Sequence, residues 1–152
     1  MKNSPKHKEK FNGQKLKIAI ILPYFNEDIG LKLLEGSTEE LKKHGVKSRN
    51  TEVIRTLGAL EIPFACQKII KRNKPDAIIA LGVIIRGETY HFELVANETY
   101  RALMNLQLET DTPISFGILA CENKEQAINR ADPKGENRGK DATIAILNQI
   151  FL

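Results

Sequence analysis

Residues 86–91 read Arg-Gly-Glu-Thr-Tyr-His, directly behind the apolar run Ala-Ile-Ile-Ala-Leu-Gly-Val-Ile-Ile of 77–85. Six residues therefore hold a cation, a glycine, a hydroxyl and an imidazole. Gly87 permits close backbone approach, and Thr89 stands where an N-cap hydroxyl would stand for a helix beginning near Tyr90. The exposed N–H groups of such a first turn, with the positive end of the helix dipole, form an anion site whose natural guest is phosphate. An ordinary capped helix after an ordinary loop is the competing reading of the same six residues. The GxxxxGK[ST] and GxGxxG patterns are absent, which argues against a P-loop and a dinucleotide. His91 falls in the first turn of that helix and is suited to proton shuttling near neutral pH, although a lone histidine is more often structural. No Ser/His/Asp or Cys/His arrangement is recognisable. An enzyme with these residues would rely on a nucleophile carried by its substrate.

Other groups stand at comparable places. Glu61 opens the helix after the second strand, where a carboxylate is stabilised and can accept hydrogen bonds from a polyol or an amide. Phe25 and Phe116 can stack on a planar heterocycle, and Arg130 can pair with a phosphate. The plain alternatives are a helix-dipole partner, two core aromatics and a solvated guanidinium.

These residues need elements that bring them together. Residues 16–23, 51–58, 75–85 and 112–120 read as strands, short apolar runs bounded by Pro, Gly or polar residues. Residues 27–46, 61–73, 91–110, 122–131 and 140–152 have helical spacing, with Gly45 as a C-cap and Pro63 in a first turn. Ser37 and Glu40 match a capping box, but one helix weakly interrupted at Gly36 is preferred. The order β-α-β-α-β-α-β-α-α predicts a four-stranded, mainly parallel sheet with helices on both faces and the third strand central. Phe25 and Asn26, then Gly58 to Glu61, then 86–91, then 121–123 each follow a strand. All four clusters are thus expected on the carboxyl edge, where ligands bind in such sheets.

Composition narrows the class. The 152 residues suffice for one domain that buries about 70% of its unfolded surface. Two cysteines in unrelated contexts indicate packed thiols, and neither a disulfide framework nor a metal site. The pI of about 9.1 invites a nucleic-acid partner, but six lysines and one glutamate within residues 1–17 account for it, leaving the rest at −1 out of a total of +4. Residues 1–16 are therefore expected to be a flexible basic tail, followed by one domain from 17 to 152. No nucleic acid and no membrane are expected as partners. With no apolar leader and no run near the ~18 residues of a membrane span, a cytoplasmic location is expected.

In combination these pieces resemble the 6,7-dimethyl-8-ribityllumazine synthase family. The resemblance runs from about Lys17 to Leu152 through Phe-Asn at 25–26, Gly-Ala-Leu-Glu-Ile-Pro at 58–63, and the stretches 82–98, 113–119, 122–123 and 129–142. It implies a three-layer α/β/α, flavodoxin-like fold in pentamers or larger shells, with riboflavin synthase as a further partner. It also implies a condensation of 5-amino-6-ribitylaminopyrimidinedione with 3,4-dihydroxy-2-butanone 4-phosphate, without metal or organic cofactor. Carried over residue by residue, Phe25 with Asn26 meets the pyrimidine. Ala59, Leu60 and Glu61 hold the ribityl chain and ring edge, and Val83, Ile84 and Ile85 give backbone contacts. Gly87, Glu88 and Thr89 bind phosphate, His91 transfers protons, and Phe116 and Arg130 come from the neighbouring subunit. Two departures stand out: Leu57 and Leu60 replace the family's proline and aromatic, and Glu88 replaces a small residue. A non-catalytic flavin-binding or shell-forming homologue, and an unrelated phosphate-binding α/β module, are the alternatives.

Overall fold

A computed structural model describes residues 10–152 of the protein. Along the chain lie β1 (Ile18–Pro23), α1 (Glu27–Lys43), β2 (Thr51–Thr56), α2 (Ile62–Asn73), β3 (Ala77–Ile85), α3 (His91–Thr110), β4 (Ile114–Cys121), α4 (Lys124–Ala131) and α5 (Arg138–Ile150). The four strands pair in the order β2-β1-β3-β4, and every pairing is parallel.

Alternation along the two central strands builds the layers, because successive side chains of a strand point to opposite faces. Ile18, Ile20 and Leu22 of β1 with Ile79, Leu81 and Val83 of β3 pack against Leu33 and Leu41 of α1, Ala127 of α4 and Ile146 of α5. Ala19, Ile21, Ile78, Ala80 and Ile84 face the other way, against Ile62 and Cys66 of α2 and Val95 and Leu103 of α3. Both faces are thus covered, which explains why β3 reads as an unbroken apolar run. Each fully buried isoleucine contributes roughly 1.5–3 kcal/mol. A polar residue at Ile79, fully buried, would break the stack.

Helix α1 is continuous through Gly36, with no interruption. Ser37 and Glu40 form no capping box. The Ser37 hydroxyl lies 2.8 Å from that of Thr143 in α5, and Glu40 lies 3.0 Å from His44 Nε2. The cause is a close crossing of α1 and α5: a Cβ on Gly36 would come within 2.1 Å of Asn137 Oδ1, and one on Gly139 within 2.1 Å of the Leu33 carbonyl oxygen. Small and hydroxyl residues there serve a neighbour about 100 positions away. The helix ends as expected at Gly45, whose φ of +84° lets Gly45 N–H donate to Lys42 O and Val46 N–H to Leu41 O.

Asn123 caps α4 and Asn137 caps α5, each accepting a backbone N–H three residues on. The two helices therefore start at 124 and 138, displaced by two residues in opposite directions from their expected starts. Residues 10–16, grouped with the tail by charge, lie against the domain. Phe11 is buried, its N–H donates to His44 Nδ1 at 3.2 Å, and its ring stacks on Phe151. The basic segment 1–9 lies outside the described residues. Among the described residues no helix is long and apolar enough to cross a membrane.

Candidate active site

The sheet opens at one place. Strand β1 pairs with β3 only up to Ile21 opposite Ala80, while its last residues, Leu22 and Pro23, stay with Arg55 and Thr56 of β2. Strand β3 continues with β4 to Ile85 opposite Cys121. The carboxyl ends of β1 and β3 diverge where the strand order reverses, which is the place such folds bind ligands. On its β1 side, the stretch Val83–Ile85 has lost its strand partner. Asn26 reaches across instead, its Nδ2 donating to the Val83 carbonyl at 3.0 Å. One role of Asn26 is thus to brace the opening, in a left-handed backbone conformation, φ 55°, that asparagine tolerates well.

A cavity of about 630 Å³ fills this opening, a size suited to a small-molecule ligand. Phe25, Asn26, Ala59, Leu60, Glu61, Val83, Ile84, Ile85, Gly87, Thr89 and His91 all line it. Phe25 is anchored by its backbone, with Tyr24 N–H donating to Thr56 O at 2.8 Å and Phe25 N–H to Leu57 O at 3.1 Å. Its ring is left 69% exposed. An aromatic ring held on a fixed backbone beside a cavity is a stacking platform. Arg55 reinforces this corner through the Leu22 carbonyl at 2.9 Å, an ion pair with Glu27 and the Tyr24 ring at 4.1 Å.

Residues Ala59–Glu61 form a 3₁₀ turn, not foreseen from the sequence, that leads into α2. Glu61 closes it by accepting Gly58 N–H on Oε2 at 2.9 Å. One carboxylate oxygen is thereby fixed at the start of α2, and the carboxylate keeps accepting capacity for a ligand.

Along 86–91 the structure revises the capping expectation. The N-cap of α3 is Tyr90, with no side-chain cap, and Thr89 Oγ1 stands one residue earlier, 3.4 Å from His91 N. The first-turn N–H groups are thus only weakly engaged by side chains and can take an anion. Glu88 is exposed and is not among the lining residues. Gly87 has neither a positive φ nor any atom within 4 Å of an added Cβ. Arg86 is held elsewhere: Nε donates to Glu122 at 2.6 Å, Glu93 takes Nη1, and the guanidinium lies 4.4 Å over Phe92. Its two carboxylates raise the Arg86 pKa further, and Arg86 in turn holds the Glu93 carboxyl below its usual range. Arg86 ties the loop to α3 and to the end of β4.

Phe116 and Arg130 do not join this group within one chain. Both line a second cavity of about 580 Å³ along β4, bordered by Tyr100, Met104, Arg138 and Asp141. Phe116 stacks on Tyr100 at 5.3 Å, and Arg130 Nη1 lies 3.4 Å from the Gln126 carbonyl. Neither belongs to the four clusters expected on the carboxyl edge; the family resemblance assigned both to a neighbouring subunit. Phe116 sits inside β4, not after it, and Arg130 lies at the far end of α4. Sequence reasoning missed Phe92, Val95 and Lys124 among the lining residues. Lys124 carried a local sign, a cation within the first turn of a helix. The thiols are buried as expected, and burial pushes Cys66 up to about 12.

The family model for 6,7-dimethyl-8-ribityllumazine synthase matches residues 15–152. The chain is 46% identical to the 6,7-dimethyl-8-ribityllumazine synthase of Kosmotoga olearia over 143 residues, 94% of this chain and 92% of the relative. It is 44% identical to that of Thermotoga petrophila over 93% of this chain and 86% of the relative. For that of Lawsonia intracellularis the identity is 41%, over 92% and 89%.

Proposed function

The chain belongs to the 6,7-dimethyl-8-ribityllumazine synthase family, and we propose that the opening between β1 and β3 is where it holds its two substrates. It is a transferase of riboflavin biosynthesis. It condenses 5-amino-6-ribitylaminopyrimidinedione with 3,4-dihydroxy-2-butanone 4-phosphate to 6,7-dimethyl-8-ribityllumazine, releasing phosphate and water. The alternative of a non-catalytic binder, suggested by Leu57 and Leu60, draws no support from these relatives.

The pyrimidine stacks on Phe25, its ring edge meets the backbone of Val83–Ile85, and its ribityl chain runs along Ala59, Leu60 and Glu61. The butanone phosphate lies with its dianion at the N-terminus of α3, on the backbone of Gly87, Glu88 and Thr89. The amine of the pyrimidine attacks the ketone carbon, forming a C–N bond and losing water as an imine; the C3 proton and the phosphate then leave, the enol becomes a carbonyl, and the ribitylamino nitrogen attacks it and expels a second water to close the ring. His91, the first residue of α3, moves the protons of these steps. Holding the two reactants at bonding distance is worth roughly 7–11 kcal/mol, and proton transfer by His91 adds about 10²–10⁴-fold.

One observation carries this reading: a single chain separates the residues into two cavities, with His91 and Phe25 on one and Phe116 and Arg130 on the other. A second copy that sets its Phe116 and Arg130 against the first chain's Phe25 and His91 completes the pocket. Leu94, Met104 and Leu108 of α3 and Phe64 of α2 are exposed apolar residues suited to such packing. We read the assembly as a pentamer or a larger shell of pentamers, with riboflavin synthase as a further partner.

Mixed refolding tests it. His91→Ala and Arg130→Ala chains should each be strongly slowed alone, at substrate levels below the raised KM of the second. Refolded together at equal ratio they should regain about a quarter of wild-type activity, the share of interfaces that pair an intact His91 with an intact Arg130. No recovery in properly assembled mixtures would mean that each chain carries its own site.

A further inference from the structure

Lys124 is the one Lys or Arg among the described residues lining the cavity between β1 and β3. The nearby Arg86 is occupied by Glu93 and Glu122, and Glu61 contributes a negative charge to the wall. On this wall an incoming dianion therefore meets only Lys124, whose partner is one solvated carboxylate, that of Asp28. We propose that Lys124 is a specificity-determining residue that recruits the phosphate of the butanone substrate, its ammonium passing from Asp28 to the phosphate as that substrate binds.

Helix α4 gives no reason for a lysine here. Position 124 is the first residue of the helix, where the dipole disfavours a cation and favours an acid. The helix start is already capped by Asn123, which accepts Gln126 N–H at 2.9 Å. A residue poorly suited to its helix yet placed on the cavity wall fits a ligand role better than a structural one. Its partner supports this. Asp28 Oδ2, in the first turn of α1, stands 3.3 Å from Lys124 Nζ, and both side chains are mostly exposed, 63% and 65%. Such a pair is weak, and its compact ammonium on a flexible stem re-aims easily. A phosphate dianion bound beside Gly87 and Thr89 outcompetes one solvated carboxylate.

The proposal rests on the phosphate position given above, and the experiment separates the two. In the assembled enzyme, steady-state kinetics at low and high salt are measured for Lys124→Gln, Asp28→Asn, the double variant and Arg130→Ala, with inorganic phosphate as a competing probe. Lys124→Gln should raise KM for the butanone phosphate roughly two- to fivefold at low salt, the scale of an exposed ion pair. The effect should shrink as salt screens the charge, while kcat and KM for the pyrimidine stay put. Its melting temperature should hold or rise, because a cation has left the helix N-terminus. Asp28→Asn should lower the same KM, and the gain should vanish in the double variant. A wild-type KM in Lys124→Gln beside weakened phosphate inhibition in Arg130→Ala would overturn the role of Lys124 and leave the site intact. Unchanged phosphate inhibition in both would overturn the phosphate site itself, and the proposal with it. An equal loss for pyrimidine and phosphate substrates in Lys124→Gln would also refute it.

Discussion

Gly87→Ala separates what the folded chain needs from what the ligand needs. Nothing in the chain requires glycine there: the residue has no positive φ, and an added methyl would meet no atom within 4 Å. At such a site alanine stabilises by about 0.4–1 kcal/mol, because the unfolded chain has fewer conformations to lose. For a domain of this size that is a rise in melting temperature of roughly 1–4 °C. Function should move the opposite way. Gly87 lines the cavity, and a phosphate held by the backbone at this turn would meet the new methyl. Losing one hydrogen bond to a charged group costs about 1.5–3 kcal/mol, or roughly ten- to a hundredfold in affinity. Thermal melts with KM measurements for each substrate make the assay. KM for the butanone phosphate should rise within that range, with the pyrimidine barely affected. A higher melting temperature with unchanged kinetics would refute the close approach of phosphate. A lower melting temperature would show that the glycine serves packing, through a contact with another copy.

Three further outcomes follow from the same structure. His91→Ala should lower kcat by tens of fold and leave both KM values nearly unchanged, since the imidazole moves protons and holds little ground-state binding; steady-state kinetics checks it, and a wild-type kcat would remove the role. Gly139→Ala should destabilise by about 1–3 kcal/mol, because its methyl would strike the backbone of Leu33 in α1, as denaturant titration would show; a neutral result would mean that α1 and α5 can separate at little cost. The Glu93 carboxyl is held below its usual range by Arg86, so the stability it brings is present above the ordinary carboxylate range and lost as pH falls through the lowered value. Glu93→Gln should therefore melt earlier than wild type at neutral pH, with the gap closing as pH falls below the ordinary carboxylate range; a gap that persists in strong acid would point to packing instead of charge.

The strands and the residues just after them were legible because both rest on local chemistry. Apolar runs such as 77–85 declare a buried strand, and a parallel sheet then sends Phe25, Glu61 and His91 to one edge. What stayed hidden depends on partners distant in sequence. Gly36 and Ser37 look locally like a helix break and a new start, yet they answer to Asn137 and Thr143 across the α1–α5 crossing. Arg86 looks like an anion ligand beside Gly87, but Glu93 and Glu122 occupy it, and Glu122 is 36 positions away.

Phe116 and Arg130 extend that point to a second chain. A rule that looks just past strand ends cannot place Phe116, the third residue of β4, or Arg130, near the last turn of α4. Each lines a cavity that His91 does not, along β4, which ends the sheet with no further strand among the described residues. On the reading proposed here, these side chains are selected for a pocket that their own chain does not contain. The two cavities then face different constraints: substitutions around His91 act on a chain's own chemistry, whereas substitutions around Arg130 act on its neighbour's. On that reading a His91→Ala chain still supplies a working Arg130, and a mixture of the two slowed variants should turn over faster than either does alone.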